Sequence, residues 1–212
     1  MGSQGIARNT VSFRKALSHV FRIKDAWAVG AVQFGGFGAY LGTIGYLPMY
    51  LRGIGWSPAL SDSATTILIG SVAASSIPLS RISDRIGSRK RVLLPLLLSW
   101  AAALCLIPLT NSQLLWIWII LGGLMVGGMM PLSLALIMEI KGVGTEYAGT
   151  ALGLASSFSM IGAFISPPLG NSFASIHKGL PFVLWGLLAG IVALAFLFIE
   201  EKERDLNVGR PQ

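Results

Sequence analysis

Charge is scarce in this sequence. Asp, Glu, Lys and Arg make up 12% of its 212 residues, about half the share of a water-soluble domain. Hydrophobic residues make up 53% and lie in long uninterrupted runs, which excludes a soluble domain and makes the bilayer the relevant solvent. Cysteine is nearly absent: Cys105 is the only one and falls within an apolar run, so an internal disulfide is excluded. Neither a metal nor a cofactor is called for. Acidic residues number 9 against 16 Lys and Arg, a net charge of +7. Nucleic acid is not implied, because the cations sit in short clusters between apolar runs with no interleaved aromatics to stack on bases. A polybasic membrane surface fits better.

Enzymatic signatures are missing as well. An intramembrane serine protease of six spans needs a Gly-x-Ser-Gly nucleophile and a His in a later span, and neither is present. A water channel needs paired Asn-Pro-Ala loops, to which Ser57-Pro58-Ala59 is the nearest approach. A voltage sensor needs Arg at every third position within a span, and none occurs. No enzyme is expected. His19 and His177 fall in polar segments and are expected at the surface.

Runs of about 20 apolar residues predict six spans near Ala26–Leu51, Ala59–Ser80, Val92–Leu109, Leu114–Ile140, Ala148–Phe173 and Leu180–Ile199. At 1.5 Å per residue even the shortest reaches about 27 Å, close to one hydrocarbon thickness. The chain divides into a leader (1–25), a six-helix bundle (26–199) and a tail (200–212). The first apolar run is too long for the core of a cleaved signal peptide, and Ile6 stands where a myristoylation signal needs Ser or Thr. Fourteen of the 16 cations fall in the leader, the second and fourth loops and the tail, leaving Arg52 and Lys178 for the other side. Positive loops stay inside, so both termini are expected in the cytoplasm of a multi-pass cell-membrane (plasma or inner membrane) protein.

Sliding the chain on itself by 89 positions aligns Gly38 with Gly127, Arg52-Gly53-Ile54-Gly55 with Lys141-Gly142-Val143-Gly144, Ala74 with Ala163 and Pro78 with Pro167. Three spans is an odd number, so the second trio lies inverted relative to the first. The second loop reads Ser80-Arg81-Ile82-Ser83-Asp84-Arg85-Ile86-Gly87-Ser88-Arg89-Lys90-Arg91. It resembles the signature loop between the second and third helices of a major facilitator superfamily half, Gly-x-x-x-Asp-Arg-x-Gly-x-Arg/Lys-Arg/Lys. Asp84, Arg85, Gly87, Arg89 and Lys90 match, and Ser80 replaces the first Gly. Gly153, Gly162, Ser166-Pro167 and Gly170-Asn171 resemble the antiporter motif of the family's fifth helix, with Ser166 and Asn171 in place of two glycines; the same pattern serves as a small-residue packing face with a Pro kink.

The resemblance implies an all-α membrane fold, a three-plus-three inverted repeat forming one half of such a transporter. No Arg lies in the fourth span, and the leader, with amphipathic Phe13 to Phe21, resembles the family's central cytoplasmic loop; both favour the C-terminal half. The signature loop is expected to act as a conformational switch, with Asp84 pairing with Arg or capping a helix. The family's cavity is lined by the first and fourth helices of each half, so Gln33 and Tyr40, opposite a stripe of Gly35, Gly38, Gly42 and Gly45 on the helical wheel, are candidate substrate contacts or interhelical glue. Ser156, Ser159 and Ser166 share a face of the fifth span, the first two as candidate cavity lining. Gly42, Gly45, Pro48 and Pro167 are candidate bends or gates. Gly123 and Gly127 form a small-xxx-small pair surrounded by Met125, Met129, Met130 and Met138, which suit adaptable packing.

Mid-span Asp, Lys and Arg are lacking, and Glu139 is expected at a helix end where a solvated carboxylate costs little. The resulting expectation is a secondary active transporter of a small solute, working by alternating access, whose partners are the lipid bilayer, the solute and a second six-helix half. The alternatives are a non-transporting assembly subunit or half of a drug-type exporter. The first span, from Gln33 to Tyr40 and on to Tyr46-Leu47-Pro48-Met49-Tyr50-Leu51, resembles permeases for small anions such as the cyanate permease-like group.

Overall fold

A computed structural model describes residues 12–110 and 112–197, so Arg8 and the basic tail (Lys202, Arg204, Arg210) lie outside the described residues. The elements are α1 (Phe13–Val20), α2 (Lys24–Val32), α3 (Gly38–Gly53), α4 (Pro58–Ile86), α5 (Arg89–Leu106), α6 (Ser112–Glu139), α7 (Gly144–Ser172) and α8 (Leu180–Phe196). A five-residue π turn, Gln33–Phe37, joins α2 to α3. Lys24 to Gly53 is therefore one interrupted rod and the first span. Of the remaining five, α4 to α7 are long and apolar enough to cross a membrane, while α8 is a shorter apolar helix. The predicted end of the last span at Ile199 lies outside the described residues.

Local chemistry sets the ends of these helices. Ser57 caps α4, its hydroxyl accepting from Leu60 N–H at 3.3 Å, with Pro58 in the first helical position, where a missing N–H costs nothing. The second span does not stop at Ser80: α4 continues through Asp84 and Arg85 until Gly87 adopts φ 75°, a left-handed conformation that Gly tolerates and that ends helices. The predicted twelve-residue loop is thus mostly helix, because nothing before Gly87 breaks it.

In each flanking helix one narrow stripe is buried. On α4 it is Ser61, Ala64, Leu68, Ser71 and Ser75; on α7 it is Ala151, Ala155, Ser159, Gly162, Ser166 and Gly170. Both follow three- and four-residue spacing with side chains that are small except for Leu68, while Ile67, Ile77, Met160, Phe164 and Ile165 face outward. Apolar outside and small inside is the pattern of helices in lipid, where close backbone approach replaces the hydrophobic effect as the cause of association. A Cβ on Gly162 would collide with the backbone of Phe34, and one on Gly38 would lie 2.8 Å from Gly162 O. In the second trio, a Cβ on Gly127 would collide with Ser75 and Val72, and one on Gly123 would lie 2.6 Å from Leu68 O. The first span therefore packs on the fifth as the fourth packs on the second, the symmetry of an inverted repeat. Trp185 of α8 fills the space beside Gly42 of α3 and Gly170 of α7, and Trp100 of α5 packs on Gly122 of α6, while α5 and α8 meet where Gly186 lies against Cys105 and Ala101.

Candidate functional site

Polar chemistry gathers in several regions among the described residues, and the signature segment is the densest. Gly87 turns the chain, Ser88 caps α5 by accepting from Arg91 N–H at 3.1 Å, and the next residue, Arg89, is thereby turned into the protein, 8% exposed. Its Nη2 donates to Asp84 Oδ1 at 2.6 Å and its Nε to Glu139 Oε1 at 3.5 Å. A single buried guanidinium thus joins the ends of α4, α5 and α6. Lys90 Nζ donates to Leu197 O at 2.7 Å, attaching the same turn to the end of α8. Arg85 is exposed. Glu139 does not stand as a merely solvated carboxylate: its side chain is 20% exposed and paired. A signal for this existed, since Glu139 is the one acidic residue between Asp84 and Glu146, but its partner lies 50 positions away.

The second region is the middle of the first span. Gln33 is fully buried, and its Oε1 accepts from Ser133 Oγ of α6 at 2.9 Å. Ser133 Oγ also lies 2.6 Å from Met129 O and 3.1 Å from Met130 O, so its one proton is shared among three acceptors. Gln33 Nε2 donates to no acceptor among the described residues, and a buried donor in that state costs about 1–3 kcal/mol. Tyr40 is half-buried and stands beside Phe37. Between Gln33 and Tyr40 the π turn winds at i→i+5, which breaks the 100° register; a straight helical wheel cannot relate the two side chains.

The remaining expected residues scatter. Ser159 is buried, bonded to Ala155 O at 3.3 Å, and shares its stripe with Ser166, but Ser156 is exposed; the three do not share one environment. Gly42 lies against the ring of Trp185, whereas a Cβ on Gly45 would meet nothing within 4 Å, so only one of the pair is a packing position. Pro48 and Pro167 sit inside continuous helices, and Trp185 Nε1 donates to Ser166 O at 2.9 Å just before the second proline.

The opposite end of the bundle carries a third polar group that sequence reasoning did not assemble. Lys178 Nζ donates to Gly53 O at 2.8 Å, and Tyr46 OH donates to Lys178 O at 2.9 Å. Arg52 pairs with Asp62 at 2.5 Å. Both ends are therefore tied by polar contacts between the two trios or within the first of them, with the Gln33–Ser133 pair between. Groups of His, Cys, Asp and Glu suited to a metal ion are absent among the described residues.

A family model described as Major Facilitator Superfamily matches residues 27–212. No curated protein matches the chain.

Proposed function

We propose that this chain, which belongs to the Major Facilitator Superfamily, carries a small polar solute or anion by alternating access, as one six-helix half of a two-half transporter. The observation that carries the two-half reading is the outer face of α7. Gly149 and Gly153 are exposed, four residues apart, and a Cβ on either would meet nothing within 4 Å. Ser156, Met160 and Phe164 continue the face at helical spacing, Phe164 being 82% exposed. Gly70 on α4 is equally open. Small residues on lipid-facing helices gather where another helix approaches, and a second half supplies one.

In this reading the Asp84–Arg89–Glu139 group is the switch. It sits at the junction of three helix ends, is made in one conformation and is broken in another, so it biases which side is open. Gln33, through its free Nε2 donor, and Tyr40 contact the solute when the π turn opens. An anionic solute takes its countercharge from the other half, because this one has no mid-span Lys or Arg. Both termini lie in the cytoplasm: α1 meets the α6–α7 connection and the signature turn meets the end of α6, which gathers the basic segments at one end, away from Arg52 and Lys178.

The test uses the chain in proteoliposomes, alone and co-expressed with a second half, with labelled cyanate and other small anions as probes. Uptake is expected only with the second half, and Asp84→Asn lowers it while expression is retained. Disulfide capture through Gly153→Cys in membranes identifies the facing chain. Absence of both capture and uptake would refute the reading; capture without uptake would leave an assembly subunit, and uptake of amphipathic drugs alone would assign a drug-type exporter half.

A further inference from the structure

We propose that the polar face of α1, closed on one side by Tyr147 of α7, is a binding site for a phosphate-bearing anion, the headgroup of an anionic lipid or a soluble phosphate ester. The helix is amphipathic by sequence. Phe13, Ala16, Leu17 and Val20 recur at three- and four-residue spacing, and Ala16 and Val20 are buried against the bundle, which turns Arg14, Lys15, Ser18 and the following Arg22 to the other side. These cations line a cavity of about 490 Å³ together with Ser12 and Tyr147, a volume in the range of small-ligand sites.

The cavity is held in place at the C-terminal end of α1. His19 Nε2 lies 2.8 Å from Gly142 O; a carbonyl only accepts, so Nε2 carries the proton and the ring orientation is set. Gly142 has φ 92°, which lets the α6–α7 connection turn here. The His19 ring stacks on Tyr147 with centroids 4.2 Å apart and planes at 25°. Past the C-terminal end, Trp27 Nε1 donates to Phe21 O at 2.9 Å. The segment is docked, and its cations are presented on a fixed frame.

The chemistry of the frame selects the ligand. None of the ion pairs among the described residues involves Arg14, Lys15 or Arg22. Glu146, exposed beside Tyr147, and Asp25, in the first turn of α2, are the acidic side chains of the adjoining elements. Three like charges on one face of a short helix repel each other, and a phosphate group accepts from several such donors at once. The hydroxyls of Ser12, Ser18 and Tyr147 add neutral donors. Phe13, Phe21 and Trp27 are exposed by 73%, 43% and 41% on the same segment, which places α1 at headgroup depth and brings lipid phosphates within its reach.

Native mass spectrometry of the full chain in detergent tests the assignment, with short-chain phosphatidylglycerol, short-chain phosphatidylcholine and inorganic phosphate as probes. Phosphatidylglycerol is expected to bind more tightly than phosphatidylcholine. Arg14→Gln and Arg22→Gln each weaken it about five-fold, the equivalent of about 1 kcal/mol per cation, while Lys15→Arg retains it. Arg81→Gln, the same charge change at the exposed end of α4, has no effect. Competition by inorganic phosphate assigns a soluble ester; its failure to compete assigns the lipid. Equal binding of the two lipids without inorganic phosphate binding, or an equal loss in Arg81→Gln, overturns the site. Circular dichroism confirms that each variant keeps its helices.

Discussion

The signature turn offers a measurement in which distance and burial point in opposite directions. Arg89 lies 2.6 Å from Asp84 but 3.5 Å from Glu139, while the Asp84 side chain is 56% exposed and that of Glu139 only 20%. If separation decided the energies, the Asp84 pair would dominate. Solvent screening reduces exposed pairs to about 0–1 kcal/mol, whereas near a protein surface two charges about 4 Å apart attract by about 4 kcal/mol before desolvation is subtracted. With the Arg89 side chain only 10% exposed, a net coupling of about 1–3 kcal/mol is expected for Arg89–Glu139 and about 0–1 kcal/mol for Arg89–Asp84. Double-mutant cycles isolate each term: Arg89→Met with Glu139→Gln, and Arg89→Met with Asp84→Asn, read by reversible denaturation in mixed micelles. A larger coupling for Asp84 than for Glu139 would refute the argument that burial decides this network. A transport assay then separates stability from switching, since Asp84→Asn is expected to lower transport with little loss of folded protein.

Three further outcomes follow from the packing. Gly162→Ala places a methyl group against the Phe34 backbone and should destabilise the bundle by about 1–3 kcal/mol; Gly153→Ala, open on its outer side, should be neutral or gain up to about 1 kcal/mol of helix propensity, and equal thermal shifts in the two would contradict the described helix pairing. Gln33→Ala and Tyr40→Phe should each weaken solute binding by about 0.5–1.5 kcal/mol, and Ser133→Ala should alter the Gln33 effect in a double cycle; calorimetry that detects no change would leave these residues as packing. For orientation, a cysteine at Lys141 should be labelled only from the cytoplasm and one at His177 only from outside, both positions being exposed, whereas Ser88 is buried and unsuited to the probe; labelling of Lys141→Cys from outside in intact cells would reverse the assigned topology.

The sequence by itself determined the apolar runs, their number, the charge asymmetry of the connections and the internal repeat. All of these are local or periodic quantities: an apolar run need only match a bilayer's thickness, and a repeat need only match itself. Gly123 and Gly127 could also be read as a packing pair, because small residues are selected wherever helices touch in lipid. Which faces meet was a different matter. A helix in lipid is apolar all round, so the hydrophobic stripe that orients a helix in a soluble protein is silent. Tertiary structure decided that Gln33 meets Ser133 one hundred positions away, that Arg89 reaches Glu139 and that Lys178 ties down Gly53. It also decided that Gln33–Phe37 winds as a π turn, which displaced Tyr40 from its place on the wheel, and that Asp84 and Arg85 belong to a helix rather than a loop. Close helix approaches at Gly38, Gly127 and Gly162, where an added Cβ would overlap the neighbouring helix, select one helix pairing from many, and such contacts exist only once the helices are side by side.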